Sequence, residues 1–402
     1  MTEPNTNPPS PKRTVWLFGW ASFLHDAGAD MIFSIWPMFL TDVLGANKAV
    51  VGLIDGAGDA IVSIAQAVSG YLSDKYRKRK VFVWMGYFFG GIAKIGYSFA
   101  PTWHWVLPFR LLDRSGKLRG APRDAIVSDL STIENRGRHF GILRMMDNGG
   151  AVVGIIASIL LVTVLSFPLR TVILIASIPS FLAVLLVLTA YRERSPGRAI
   201  AFKGLQLKNL TPNFRLYLVL SAFFTLGAFS YSFLLLTARQ LGFATAAMPL
   251  FYLLYSAVAA ALSIPFGRLA DRLGRKNILL FSFCCWIVVA ALFLSIPHPA
   301  TVIVAFVIYG VHIASLEPVQ KALAAELSPK DLVASSLGGF QMVIGLCSLP
   351  ASIVAGMLWD HYGLSAPYAL SLILTIVAAG LLLFLKNGST RRQAPTLQPN
   401  GE

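Results

Sequence analysis

The chain has 402 residues, 55% of them hydrophobic and only 13% charged, with a mean hydropathy of +0.65. A soluble domain carries about 25% charged residues, so this composition excludes an ordinary soluble protein and points to lipid as the solvent. The formal net charge of +15 does not indicate a nucleic-acid binder, because the basic residues fall between apolar runs and not along one folded face.

Residues 1–14 are polar and proline-rich and read as a cytoplasmic tail. The apolar run that follows is too long for a signal-peptide core and reads as a retained first helix. A spanning helix needs roughly 20 apolar residues, and six such spans are expected at 15–44, 48–73, 81–101, 104–130, 139–166 and 168–191. Residues 192–214 form a basic cytoplasmic linker with Arg192, Arg194, Arg198, Lys203 and Lys208. Six more spans follow at 215–238, 247–270, 277–296, 300–325, 332–358 and 364–386, and then a polar tail at 387–402. The expected fold is an all-α membrane protein of twelve transmembrane helices in two pseudo-symmetric six-helix bundles, 15–191 and 215–386. Strands of alternating polarity, the mark of an outer-membrane barrel, are absent from the pattern.

Loop charge orients the chain. Lys75, Arg77, Lys78, Arg79 and Lys80 follow span 2, and Arg268, Arg272, Arg275 and Lys276 follow span 8, whereas the alternate loops carry only Lys48, Arg170 and Arg239. The positive-inside rule then puts both termini and the linker in the cytoplasm. Cys284, Cys285 and Cys347 lie in apolar stretches with no metal spacing and read as packing residues.

Two loops repeat. Gly70-Tyr-Leu-Ser-Asp74-Lys-Tyr-Arg-Lys-Arg79-Lys80 and Gly267-Arg-Leu-Ala-Asp271-Arg-Leu-Gly-Arg275-Lys276 each end a long apolar segment, about half the chain apart. Such a repeat marks a duplicated membrane unit. The pair resembles the G-x-L-a-D-r-x-G-r-k signature of the major facilitator superfamily, with Arg77 where that family usually has glycine. The run Asp113-Arg-Ser-Gly-Lys117-Leu-Arg-Gly-Ala-Pro122-Arg123-Asp124-Ala, with Asp26, Asp30-Met31 and Pro37 in span 1, resembles a bacterial subgroup carrying a "GKGiRtaPRDA" stretch. The resemblance implies a transporter that works by alternating access. It also implies that the loop aspartates, Asp74 and Asp271, pair with arginine and cap a helix of the opposite half, latching one state. Gly70 and Gly267 are expected to allow close helix approach. Gly150 and Gly154 in span 5 form a second small-residue contact of that kind.

Ionisable residues inside a span are costly and mark function by default. The first half holds His25, Asp26, Asp30, Asp55, Asp59, Lys94, Arg110, Asp113, Arg114, Lys117, Arg119, Arg123, Asp124, Asp129, Arg144 and Asp147, and span 10 holds His312, Glu317, Lys321 and Glu326. Helical spacing aligns Asp55, Asp59, Ser63, Gln66 and Gly70 as one stripe on span 2. It aligns Arg110, Arg114, Lys117, Ala121, Asp124 and Ser128 on span 4. Neither stripe can face lipid. Depth places Asp30, Asp59, Arg114, Lys117 and His312 near the midplane, where repeat-built transporters bind substrate. Asp124, Asp129, Arg144, Asp147 and Glu326 fall toward the cytoplasm. With Glu317, Arg79 and Arg275 they are expected to belong to the conformational latch.

A carboxylate in a dry site can change protonation near neutral pH, which makes Asp30, then Asp26 and Asp59, the candidates for proton coupling; permanent ion pairing is the alternative. Arg110, Arg114 and Lys117 suit an anionic group of a substrate or serve as charge balance for those acids. His25, His312, Phe33 and Trp36 complete the substrate-binding candidates. Tyr231, Tyr252 and Tyr255 read as cavity lining or packing. His25 beside Asp26 is also compatible with divalent-metal cargo, but no resident metal or cofactor is expected. No HExxH, G-x-S-x-G or Walker pattern points to an enzyme or an ATP-driven pump. The expected function is proton-coupled secondary transport of a small organic solute by a monomer in the bacterial inner membrane, with efflux ahead of uptake. A non-transporting sensor or assembly protein of the same fold is the alternative.

Overall fold

A computed structural model describes residues 11–76, 78–132, 135–191, 193, 210–295, 298–328 and 333–386, with backbone alone at 11, 66–76, 136–137 and 333–335. Among the described residues there are helices and no strands. That follows from lipid, which offers no hydrogen bond to an exposed backbone group, so each span must satisfy its own. Residues 1–10 and 387–402, most of the 192–214 linker and the Asp74 side chain lie outside the described residues, while residues 11–14, expected in the tail, begin the first helix.

The first half is built from six helical spans. Span 1 is Pro11–Phe33, carried on by Trp36–Met38 and a π-helical turn at Phe39–Val43; span 2 is Lys48–Tyr76 and span 3 Arg79–Phe99. Span 4 is Trp103–Ser115, a 3₁₀ turn at Gly116–Arg119, and Gly120–Asp129. Span 5 is Arg136–Ile159 with a π-helical turn at Leu160–Val164, and span 6 is Leu169–Ile175 with Ser177–Ala190. The second half follows the same plan. Span 7 is Pro212–Gly227 and Tyr231–Gln240, span 8 Met248–Leu273, span 9 Arg275–Ser295, span 10 Pro299–Leu327, span 11 Val333–Tyr362 and span 12 Ser365–Phe384. Spans 7 and 10 start where proline at the first helical position follows a capping side chain: Thr211 accepts from the Phe214 amide and His298 from the Ala300 amide.

Among the described residues, eight helices are long and apolar enough to cross a membrane: Arg138–Val164, Leu169–Ala190, Pro212–Gln240, Thr245–Leu273, Arg275–Ser295, Pro299–Leu327, Ser336–Tyr362 and Ser365–Phe384. The four spans outside that set are the charge-rich spans 1–4. Their charges are turned inward, and the protein's outer face is apolar, with Ile156, Leu160, Ile178, Leu185, Ile264 and Ile373 all exposed.

Glycines set the close contacts. A Cβ on Gly154 would stand 2.1 Å from the Ala27 carbonyl oxygen, and one on Gly150 2.3 Å from that of Phe23. Spans 1 and 5 therefore meet backbone to backbone, as the small-residue pattern in span 5 predicts. A second seam runs between the halves, where a Cβ on Gly52 of span 2 would stand 1.9 Å from the Ser352 carbonyl oxygen of span 11. Gly267 is different: no atom lies within 4 Å of a Cβ built there. In this conformation Gly267 is not a point of close helix approach, which corrects the expectation.

Candidate functional site

Span 7 loses its helix between Gly227 and Tyr231, and Ser230 caps the helix that resumes. The break sets two hydroxyls against Asp55 of span 2. The Asp55 carboxylate accepts from Ser230 Oγ at 2.7 Å and from Ser232 Oγ on one oxygen, and from Trp36 Nε1 at 2.8 Å and Arg110 Nη2 at 3.0 Å on the other. Both members of the Asp55–Arg110 pair are buried, at 3% and 1% exposure. Four donors compensate the burial of this carboxylate, and they come from both halves.

Beside this hub lies a cavity of about 250 Å³ between the halves. The first half contributes Asp55, Asp59, Arg110 and Arg114, and the second half Phe224, Phe229, Tyr231, Trp286, Tyr309 and His312. One wall is thus charged and the other aromatic. The Arg110 guanidinium lies 4.4 Å from the Trp36 ring centre, and that of Arg114 lies 4.6 Å from the Phe33 ring centre. Phe33 and Trp36 act here as the bed on which the arginines rest. His312 is buried, with Nδ1 held by Ser282 at 2.9 Å, so its ring is part of the aromatic wall.

A second cavity, about 340 Å³, is polar and displaced toward the end that carries the basic turns at residues 78–80 and 274–276. Asp26, Lys117, Arg119, Arg123, Asp124, Arg144 and Asp147 line it from the first half and Lys321 from the second. The span 4 stripe is therefore divided. Arg110 and Arg114 face the central cavity, while Lys117, Ala121 and Asp124 reach the second one. The change falls at the 3₁₀ turn Gly116–Arg119, where Gly116 and Gly86 are mutually pressed against each other's carbonyl oxygen, and where each residue advances farther than in an α-helix. Asp26 pairs with Arg119 at 3.4 Å, and Arg123 pairs with Asp124 at 3.0 Å and with Asp147 at 3.1 Å.

Other candidates sit elsewhere. Asp30 accepts from Tyr252 Oη of span 8 at 2.9 Å, a bond between the halves. His25 is buried against Tyr87 and Gly90 and lines neither cavity. Lys94 is buried and bonds Ser180. Among the described residues, no group of three His, Cys, Asp or Glu side chains is placed to hold a metal ion.

The ion pairs sort by end. At the basic end Arg79 pairs with Asp129, Asp271 with Arg275 at 3.7 Å, and Arg275 with Glu326 at 3.0 Å. Each of these pairs stays within one half, and among the described residues Asp271 forms no ion pair with the opposite half. Among the described residues Glu317 and Arg144 carry no ion pair or hydrogen bond. At the other end the halves are joined. Asp42 pairs with Arg239 at 3.6 Å and accepts from Thr245 Oγ1 at 3.2 Å. Asp360 of span 11 accepts from the backbone amides of Lys48 and Ala49, at 3.2 and 2.8 Å, at the start of span 2. The molecule is sealed at that end.

Sequence reasoning placed Asp55 in a stripe but passed over it as a site residue, because it lies one turn from the midplane. The signal that points to it is in span 7, where Gly227-Ala-Phe-Ser230 interrupts the apolar run one residue before an aromatic helix start.

Two six-helix halves enclosing a midplane cavity define a membrane transporter of the alternating-access type. The sequence profile of the Major Facilitator Superfamily matches residues 18–258 and 216–400, and the chain belongs to that superfamily. It is similar to an uncharacterised MFS-type transporter of Methanocaldococcus jannaschii, with 36% identity covering 95% of this chain and 97% of the relative. It is also similar to the multidrug resistance protein MdtH of Aeromonas hydrophila, with 26% identity over 92% and 94%. Among solved structures, a D-xylose-proton symporter superposes with a TM-score of 0.76 at 13% identity, covering 94% of this chain and 98% of that one. A bacterial homologue of the lysosomal transporter Spinster, inward-facing and occupied, gives 0.75 at 14% identity over 94% and 97%. These likenesses establish the fold. The protein is an integral multi-pass membrane transporter and not an enzyme.

Proposed function

We propose that this chain is a secondary active transporter that carries a small organic solute across a bacterial cytoplasmic membrane by alternating access, coupled to protons. One observation carries the reading: a cavity walled by both halves lies between an end joined by cross-half bonds and an end where the ion pairs among the described residues stay within each half. With the basic turns in the cytoplasm, this is the inward-facing arrangement. The termini are cytoplasmic and the bundles are 15–191 and 215–386, joined by the 192–214 linker. The working unit is one monomer.

Proton coupling is assigned first to Asp30, which bridges the halves through Tyr252, then to Asp59 in the central cavity and Asp26 in the second. A carboxylate that can be bonded across the halves only in one conformation ties its protonation to that conformation. Export is the favoured direction, in line with the likeness to a multidrug resistance protein. The latch residues act at the basic end: Arg79, Asp129, Asp271, Arg275 and Glu326 hold each half rigid here, and Arg144 and Glu317 are free to pair when that end closes.

The test is transport by the purified protein in proteoliposomes, with an imposed pH gradient and an internal pH dye, across a panel of metabolites and antibiotics. Solute movement accompanied by a stoichiometric pH change supports the reading. Solute movement without any pH change removes proton coupling, and no movement of any solute by folded protein removes transport.

A further inference from the structure

We propose that the substrate of the central cavity is a small aromatic organic anion, whose acidic group is bound by Arg114 with Arg110 behind it. The inference rests on the transporter reading above and names its cargo class.

Arg110 and Arg114 stand one turn apart on span 4 and line the same cavity. Arg110 gives Asp55 only Nη2; its Nε and Nη1 are buried and have no hydrogen-bond partner. Arg114 forms no ion pair or hydrogen bond among the described residues, and its Nε is likewise buried without a partner. The two Arg110 donors and Arg114 Nε lie packed beneath the cavity surface, whereas Arg114 Nη1 and Nη2 are neither buried nor bonded among the described residues, so Arg114 presents its free fork to the cavity with the Arg110 charge behind it. Both side chains are held in place: Arg110 by Asp55 and the Trp36 ring, Arg114 by the Phe33 ring. Both also lie against Gly58, where a Cβ would stand 3.1 Å from Arg110 Nε and 3.3 Å from Arg114 Nε. A planar fork fixed in this way matches the two oxygens of a carboxylate or phosphate.

The acids nearby do not fill this role. Asp55 is already engaged by Trp36, Arg110, Ser230 and Ser232. Asp59 lines the same cavity and lies near Arg114, but no Asp59 oxygen comes within 4.0 Å of either guanidinium, and the residue is exposed to the cavity. That difference favours an anion over a cation: Arg114 offers the cavity donors with no partner among the described residues, while Asp55 is fully engaged. The facing wall of Phe224, Phe229, Trp286 and Tyr309 suits a flat apolar body. A volume of about 250 Å³ is below the roughly 300–1,000 Å³ of pockets for drug-sized ligands, which restricts the body to about one ring.

The experiment measures binding to the full-length protein in detergent, by calorimetry, of four one-ring probes: benzoate, phenyl phosphate, benzyl alcohol and benzylamine. Counterflow of labelled benzoate in proteoliposomes accompanies it. The expected result is binding of an acid and not of the alcohol or amine. Arg114→Gln is expected to lower that affinity about 10- to 100-fold, and Arg114→Lys, which keeps the charge and loses the fork, to lower it less. Because Arg114 makes no contact ion pair among the described residues, glutamine there breaks no salt bridge, and the melting temperature without ligand reports whether each variant is folded. Preference for benzoate identifies a carboxylate, and preference for phenyl phosphate a phosphate monoester; both support the anion. Binding and movement of the amine or alcohol in place of the acids overturns the anion class and leaves the transporter reading standing. Equal affinity in wild type and Arg114→Gln overturns it too. If no probe binds, the inference falls; if the wider solute panel also shows no movement, the transporter reading falls with it.

Discussion

Asp55 of span 2 accepts a 2.7 Å hydrogen bond from Ser230 of span 7, so a first-half carboxylate sits at the start of the second-half helix Tyr231–Gln240. The positive end of that helix favours the charge. The same carboxylate holds Arg110 in the cavity wall. The seal between the halves and the geometry of the cavity thus share one residue, and breaking the seal must loosen Arg110.

This sharing separates two variants. Asp55→Ala removes one partner of a buried pair and strands Arg110, at a cost of about 3–5 kcal/mol, which a thermal melt in detergent will read as a clear loss of stability. Ser230→Ala removes one of the two hydroxyl bonds that reach Asp55 across the halves, together with the cap on Tyr231–Gln240, and leaves Asp55 paired with Arg110 and Ser232. Its melt is expected to fall less than that of Asp55→Ala, because no buried charge is stranded, while spin labels across the sealed end report a larger separated population. An unchanged distance distribution would assign Asp55 a purely local role.

Asp360 caps span 2 from the other half, accepting from the Lys48 and Ala49 amides. A lost cap costs about 0.5–2 kcal/mol. Asp360→Ala is expected to raise cysteine accessibility at the sealed end severalfold and leave accessibility at the basic end falling in step, because one conformational equilibrium governs both. Loss at one end without the other would show that the ends move independently.

The contact between spans 1 and 5 has no room. A Cβ on Gly154 would stand 2.1 Å from the Ala27 carbonyl oxygen, so even Gly154→Ala must drive two backbones apart. Overpacking of this kind costs about 1–3 kcal/mol. Lower folded yield and a lower melting temperature are expected, whereas Gly267→Ala, with nothing within 4 Å, is expected to fold as wild type.

Asp30→Asn keeps an oxygen for Tyr252 to donate to but removes the titrating group. Solute exchange at equal pH is expected to continue, and accumulation driven by a pH gradient to be lost. Tyr252→Phe removes the cross-half bond and retains the acid, so gradient-driven accumulation should persist at a changed rate. Retention of full accumulation in Asp30→Asn would move the coupling role to Asp59 or Asp26.

Much of the architecture is legible in the sequence because lipid enforces it. Span length, the absence of strands and the doubled loop follow from hydrophobic runs and repetition, and the 150/154 glycine pair in span 5 names its own contact. Charged residues were legible as candidates for the same reason: an Arg110 or an Asp59 cannot face hydrocarbon. Their partners were not. Asp55 and Ser230 are 175 positions apart, and no local periodicity relates them.

The sequence by itself determined that this is a two-half helical membrane protein with its polar groups turned inward, since hydrophobicity and spacing act locally along the chain. Only the tertiary structure decided which charges meet. It assigned Arg110 to Asp55 and left Arg114 without a contact ion pair among the described residues; it divided the span 4 stripe between two cavities at a 3₁₀ turn, and it placed the cross-half ion pair Asp42–Arg239 at the end away from the basic turns. Those outcomes depend on how two halves dock, and docking brings together side chains whose separation in the chain carries no record of their distance in space.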